Sequence, residues 1–238
     1  MKTPKFVFFL PGLVCDGFVW EKQMEGLSDL AGCTCVEWDR EDSITAMALR
    51  VLAVAPERFA VCGHSMGGRV ALEVFRAAPE RVSGVALLNT GYQPYSPGPA
   101  GQEEAKGRYA LLEIAKAQGM RAMAAQWIPP MIHPARRQDT VFVSSIVEMF
   151  ARKTPEIFEL QTRALLSRPD ASPVLEQIRC PALVLTGQDD LWSPPPRHTE
   201  MAAKIRSSRL VLVPGCAHMS TLERPEAVTE ALRSWLSA

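Results

Sequence analysis

Gly63-His64-Ser65-Met66-Gly67-Gly68 sets a serine among glycines directly after the apolar run 59–62. A strand that turns sharply into a helix pushes the residue at its apex out of the carboxyl edge of a sheet. So tight a bend requires neighbours without a bulky Cβ. The flanking residues supply both arms of the turn. Arg58-Phe59-Ala60-Val61-Cys62 is short and rich in β-formers, whereas residues 69–76 repeat their apolar side chains at intervals of three and four until Pro79 stops the helix. A hydroxyl held at such an apex is placed to act as a nucleophile.

Five further apolar runs have the length and bulk of buried strands, at 6–10, 34–37, 84–88, 182–186 and 210–213. Helical patterns follow most of the strands, at 20–30, 44–55, 66–77, 196–204 and 225–236. This alternation predicts an α/β fold, a predominantly parallel six-stranded sheet with helices on both faces. The fourth strand departs from the rhythm, because the fifth does not arrive for over ninety residues. A stretch rich in Pro and Gly at 92–101 leads into helical patterns near 103–117, 120–127, 136–151 and 155–166. Pro169, Pro173 and a short helix at 174–178 return the chain to the sheet at Cys180. The expected division is a core formed by 1–91 and 169–238, with an inserted helical cap at 92–168.

Composition narrows the function classes. With 238 residues and 47% hydrophobic content the chain can build one sizeable core, and its 26 basic and 26 acidic residues form no long block of either sign. No nucleic-acid partner is expected. Lys2 and Lys5 precede an apolar run, but Pro11-Gly12 breaks it and Asp16 follows without a small-residue cleavage pattern, so the run reads as a buried first strand. No stretch reaches the ~20 apolar residues that span a bilayer, and no membrane partner is expected. The cysteines at 15, 33, 35, 62, 180 and 216 read as free thiols of a reducing, cytoplasmic compartment. Cys33 and Cys35 are too close together for the usual zinc spacing; neither a metal nor a cofactor is expected.

A serine hydroxyl needs a base and a group that orients the base. Four histidines are available. His64 adjoins the serine and is directed away from the apex, His133 falls in the insertion, and His198 opens the helix after the fifth strand. His218 lies in the loop directly after the sixth strand, at the same edge as Ser65. Gly187-Gln188-Asp189-Asp190-Leu191-Trp192-Ser193-Pro194 follows the fifth strand and offers two carboxylates there. The order Ser, Asp, His then corresponds to the ends of strands three, five and six.

These residues resemble the α/β-hydrolase fold superfamily, in its short, esterase-like members with a helical cap. The resemblance spans nearly the whole chain. It rests on Leu10-Pro11-Gly12, on the stretch around Ser65, on Gly187-x-x-Asp190-x-x-x-Pro194, and on Gly215-x-x-His218 followed by Glu223-Arg224-Pro225. It implies a catalytic triad of Ser65, Asp190 and His218, with Asp189 in reserve, and an oxyanion hole formed by the amides of Leu13 and Met66. Pro11-Gly12 stands where the family commonly has His-Gly. The first strand here corresponds to the third of longer relatives.

The implied activity is a serine hydrolase that cleaves a small or medium carboxylic ester or lactone through an acyl-enzyme. Thioesterase, carbon–carbon bond hydrolase, acyltransferase and ligand-receptor roles use the same framework and are the alternatives. The partner is a small ester-like substrate; the oligomeric state stays open. Trp127, Met131, Ile146 and Phe150 of the cap are expected to line the substrate pocket, whose apolar wall would favour acyl groups with few charges.

Overall fold

The computed structural model describes residues 5–238; Lys2 lies outside them. Six strands, β1 (Phe6–Leu10), β2 (Gly32–Cys35), β3 (Phe59–His64), β4 (Val82–Leu88), β5 (Ala182–Gly187) and β6 (Ser208–Val213), form one sheet in the order β2-β1-β3-β4-β5-β6. Every pairing is parallel. The four inner strands are buried almost throughout, as continuous apolar runs must be when helices cover both faces, while the edge strands β2 and β6 are half exposed.

Helices α1 (Glu21–Leu27), α2 (Ile44–Val54) and α3 (Met66–Ala77) connect the first four strands. The insertion carries α4 (Pro99–Gln118), α5 (Met120–Trp127), α6 (Thr140–Ala151) and α7 (Pro155–Leu166). The chain returns through α8 (Ser172–Leu175) to β5, and α9 (Pro195–Lys204), α10 (Ser220–Glu223) and α11 (Pro225–Leu236) complete the fold. The chain steps from β1 outward to β2, then back past β1 to β3 and onward. With right-handed crossovers, that reversal puts α1 on one face and α2 and α3 on the other. Accordingly α1 packs on α11, and α2 on α3. The reversal also opens a crevice between the carboxyl ends of β1 and β3, where ligands of open α/β sheets bind.

The register brings the functional segments to that edge: Leu10 is opposite Gly63, His64 opposite Leu88, and Gly187 opposite Val213. Most expected elements form within two or three residues of their expected ends. Two do not. The helix expected over 136–151 begins only at Thr140, because Pro134–Arg136 forms a separate 3-10 turn and the Asp139 side chain accepts from the Phe142 amide at 3.0 Å, capping a new start. The other is α4, expected near 103–117, which begins four residues earlier at Pro99, a residue whose fixed φ suits the first turn of a helix. The helix expected over 20–30 forms as α1 over Glu21–Leu27, after a 3-10 turn at Gly17–Trp20 that Asp16 caps. Among the described residues no helix is long and apolar enough to cross a membrane.

Candidate active site

Ser65 adopts φ 54° and ψ −115°, a conformation that L-residues rarely occupy, and stands between the last residue of β3 and the first of α3. Close backbone approach dictates the glycines around it. A Cβ at Gly63 would lie 2.1 Å from the carbonyl oxygen of Gly67, and one at Gly67 would lie 2.0 Å from that of Leu10. The turn therefore packs directly on the loop after β1. A Cβ at Gly12 would approach the Ser65 Cβ to 3.3 Å.

His218 Nε2 is 3.0 Å from Ser65 Oγ, and His218 Nδ1 is 2.9 Å from Asp190 Oδ2. Asp190 is buried and fully partnered. Its Oδ1 accepts from the amides of Trp192 and Ser193, each at 2.9 Å, and its Oδ2 from Asn89 Nδ2 at 3.0 Å. Burial alone would push this carboxyl up, yet the facing His218 and these donors outweigh it and hold the group well below the usual carboxylate range. Asp189 is half exposed and faces His133 of the insertion, not His218.

Asn89 was not legible as a site residue. It sits at the end of β4 with φ 49°, fully buried, and its Oδ1 accepts from Ser220 Oγ at 2.5 Å. One amide thus ties the acid loop to the loop of His218, and the Asn-Thr that ends an apolar strand was its one signal. His64 is buried beside the serine, where its Nε2 donates to the His218 carbonyl at 2.8 Å and its Nδ1 has no partner among the described residues. Burial and the neighbouring His218 push it down to about 3, so it is neutral. His198 is likewise neutral, lowered to about 4 by burial; its Nε2 accepts from the Thr90 amide at 3.1 Å.

Among the described residues neither the Leu13 nor the Met66 amide donates to a protein acceptor, and both residues line the cavity over Ser65. The adjoining Val14 amide, by contrast, is taken at 2.7 Å by Gln161 of α7. Cys15 also faces the cavity, but burial and then the neighbouring Asp16 push its thiol far up, away from the thiolate. Cys216 is buried next to the His218 loop, and burial pushes it up to about 12.

The cavity measures about 440 Å³, within the usual range for small-molecule sites. Trp127, Met131 and Phe150 line it. Ile146 does not: it is fully buried among the insertion's own apolar residues, because α6 is apolar on more than one face. Trp192, unanticipated, stacks on Trp127 at 5.5 Å and stands 5.1 Å from the His218 ring. The wall is not largely apolar, since arginines 69, 108, 168 and 197 also line it. Two hydrogen bonds tie the insertion to the histidine loop and the short helix after it. The His218 amide donates to the Met131 carbonyl at 2.9 Å, and Glu223 accepts from the His133 amide at 2.7 Å.

Comparison with known proteins agrees with this architecture. Residues 7–231 match the model of the alpha/beta hydrolase family, and the chain belongs to that family. It is 25% identical over 228 residues to the pimeloyl-[acyl-carrier protein] methyl ester esterase of Nitrosomonas europaea, covering 91% of this chain and 90% of that protein. A thermophilic esterase from Thermogutta terrifontis, solved with malate bound, is similar at 28% identity with a TM-score of 0.86, covering 99% of this chain and 90% of that one. The enol-lactonase from Burkholderia xenovorans shares the fold at 23% identity with a TM-score of 0.87, covering 99% and 92%. The protein is an enzyme of the hydrolase type.

Proposed function

We propose that this hydrolase cleaves small or medium carboxylic esters or lactones through an acyl-enzyme on Ser65. The observation that carries the reading is the unbroken chain of contacts from Ser65 Oγ through both nitrogens of His218 to Asp190. Two similar proteins, from Nitrosomonas europaea and Thermogutta terrifontis, are named as esterases. In this reading Ser65 Oγ attacks the ester carbonyl carbon while its proton passes to His218 Nε2. The carbonyl oxygen, now negative, accepts from the Leu13 and Met66 amides, and Asp190 stabilises the imidazolium. The tetrahedral centre collapses with loss of the alcohol, which takes the proton from His218. Water then gives a proton to the same nitrogen and its oxygen to the acyl carbon, releasing the acid and Ser65. Residues 92–168 act as the cap over this chemistry, with Trp127, Met131 and Phe150 against the acyl or alcohol part of the substrate.

Treatment with a fluorophosphonate probe, followed by peptide mass spectrometry, is expected to place one adduct on Ser65. Ser65→Ala should lose that adduct together with hydrolysis of p-nitrophenyl butyrate, by about 10⁶ in kcat where the triad acts as a unit. Labelling at another residue, or undiminished labelling of the variant, would overturn the assignment.

A further inference from the structure

Arg69, Arg108, Arg168 and Arg197 line the cavity that holds Ser65, and Glu104 is the one acidic side chain lining it among the described residues. The five come from distant parts of the chain. Arg69 lies one helical turn along α3 from Ser65, Glu104 and Arg108 are in α4, Arg168 follows α7, and Arg197 is in the first turn of α9. Glu104 is engaged by two of the four. Its Oε1 accepts from Arg108 Nε at 3.0 Å and Arg168 Nη1 at 2.9 Å, and its Oε2 accepts from Arg168 Nη2 at 2.7 Å. That triad by itself is a structural staple between the insertion and the chain returning to the sheet.

Arg69 and Arg197 are different. Among the described residues neither forms an ion pair with a carboxylate. Each spends one donor on a backbone carbonyl, Arg69 on Gln93 at 2.8 Å and Arg197 on Trp192 at 2.9 Å. A guanidinium has five N–H groups, so most of theirs are unused. Arg168, which also lines the cavity, is nine-tenths buried in its side chain, and its buried Nε has no partner among the described residues. Gly91 lets the two unpaired arginines converge: a Cβ there would lie 2.8 Å from Arg69 Nη2 and 3.4 Å from Arg197 Cδ.

Four guanidinium groups against one carboxylate leave three positive charges around one hollow, in a chain whose formal net charge is zero. Such a grouping is costly without a counter-charge. Burial, and then the neighbouring Arg168, push Arg69 down to about 9 in spite of Glu104. A bound anion removes both penalties. Two guanidinium forks facing one space also suit a planar carboxylate, which accepts paired hydrogen bonds from each.

We propose that Arg69 and Arg197, supported by Arg108 and Arg168, form an anion-binding subsite, and that the ester cleaved at Ser65 carries a free carboxylate. The proposal rests on the ester reading above and adds its substrate class, a half-ester or lactone of a dicarboxylic acid. The subsite takes no part in bond making. It fixes the substrate through a group remote from the scissile carbonyl, about 6 Å along α3 from Ser65 at the level of the backbone. The Trp192 carbonyl that holds Arg197 belongs to the residue whose ring faces His218.

Two measurements test the subsite. In the first, kcat/KM is compared for mono-p-nitrophenyl glutarate and the uncharged p-nitrophenyl valerate of equal chain length. Wild type should favour the glutarate ester by about tenfold or more, the scale of one charge-assisted hydrogen bond, and Arg69→Gln and Arg197→Gln should each reduce that ratio. Arg197→Glu should reverse it. An unchanged ratio in folded variants defeats the proposal, since a merely structural arginine would lower both rates together. The second measurement needs no turnover: glutarate, valeramide and inorganic phosphate are titrated against the tryptophan fluorescence of the Ser65→Ala protein. Glutarate should bind, valeramide should not, and Arg197→Gln should weaken glutarate by about tenfold. Tighter binding of phosphate than of glutarate would overturn the carboxylate class. Binding of glutarate with no hydrolysis of either ester would leave the subsite standing and remove the ester reading alone.

Discussion

Asp189 and Asp190 differ by one position along the chain, yet the side chain of the first is 46% exposed and that of the second not at all. Only Asp190 collects the donors that keep a carboxylate ionised inside a protein, two amides, the Asn89 side chain and His218. Asp190→Asn should therefore lower kcat by about 10⁴, the scale for loss of the orienting carboxylate in serine proteases. Asp189→Asn should leave the rate within a factor of a few. Parallel kcat measurements on the two variants decide it, and the reverse order would transfer the role to Asp189. Much of this scale was legible in the sequence. The glycines bracketing Ser65 and the strand-end positions of Asp190 and His218 are local patterns, and local patterns survive without a structure. The arginine cluster was not legible, because each member reads alone as an ordinary solvated surface residue. Only the fold brings 69, 108, 168 and 197 to one hollow.

At the scale of elements, the short helix α10 links the insertion to the loop of His218. Glu223 is buried there with both oxygens in use, Oε2 accepting from the His133 amide and Oε1 from the Ala217 amide at 2.9 Å. An amide in its place offers one acceptor and turns a donor toward a donor. Glu223→Gln should destabilise the fold by about 1–3 kcal/mol, the cost of a buried unpaired polar group. It should also lower kcat more than it raises KM, because the loop carrying His218 is loosened while the pocket wall is kept. Urea melts and steady-state kinetics with p-nitrophenyl butyrate check both, and a change confined to KM would deny the coupling. The Glu-Arg-Pro following the histidine was visible in the sequence, but its side-chain partner was not, since His133 lies ninety positions away. α7 and α11, each opened by a proline, matched their expected bounds. α6, whose start depends on the capping Asp139, did not, because apolar periodicity continues through a 3-10 turn as readily as through a helix.

For the whole molecule, the buried neutral histidines set the acid side of stability. His64 and His198 are lowered to about 3 and about 4 by burial, whereas in the unfolded chain both titrate near the ordinary imidazole value of about 6.5. Below pH 6.5 the unfolded state takes up protons that the native state refuses, so stability falls with pH until the native histidines titrate. Each such proton is worth about 1.4 kcal/mol per pH unit. Asp190, held low, adds a loss in the same direction only below the ordinary carboxylate range. Glu223, pushed up by burial against the amides it accepts from, acts oppositely and costs stability as pH rises past its ordinary range. The urea midpoint should drop steadily from pH 7 to pH 4.5, and a midpoint that holds or rises over that interval would contradict the burial of neutral His64 and His198.

The placement of the insertion also governs the order in which the molecule can assemble. β4 and β5 are neighbours in the sheet, but residues 89–181 lie between them, whereas β1, β3 and β4 are joined by much shorter crossovers. Closing the long loop carries the larger entropy penalty, which grows with loop length and must be met before the pairing gives any return. The first four strands can therefore collapse as a unit that already contains Ser65, while Asp190 and His218 arrive with β5 and β6. On the proposed mechanism, a chain caught at that stage holds its nucleophile without a base. Reactivity would then be the last property to be acquired, and a nascent or partly unfolded molecule would be chemically silent until the second half has docked.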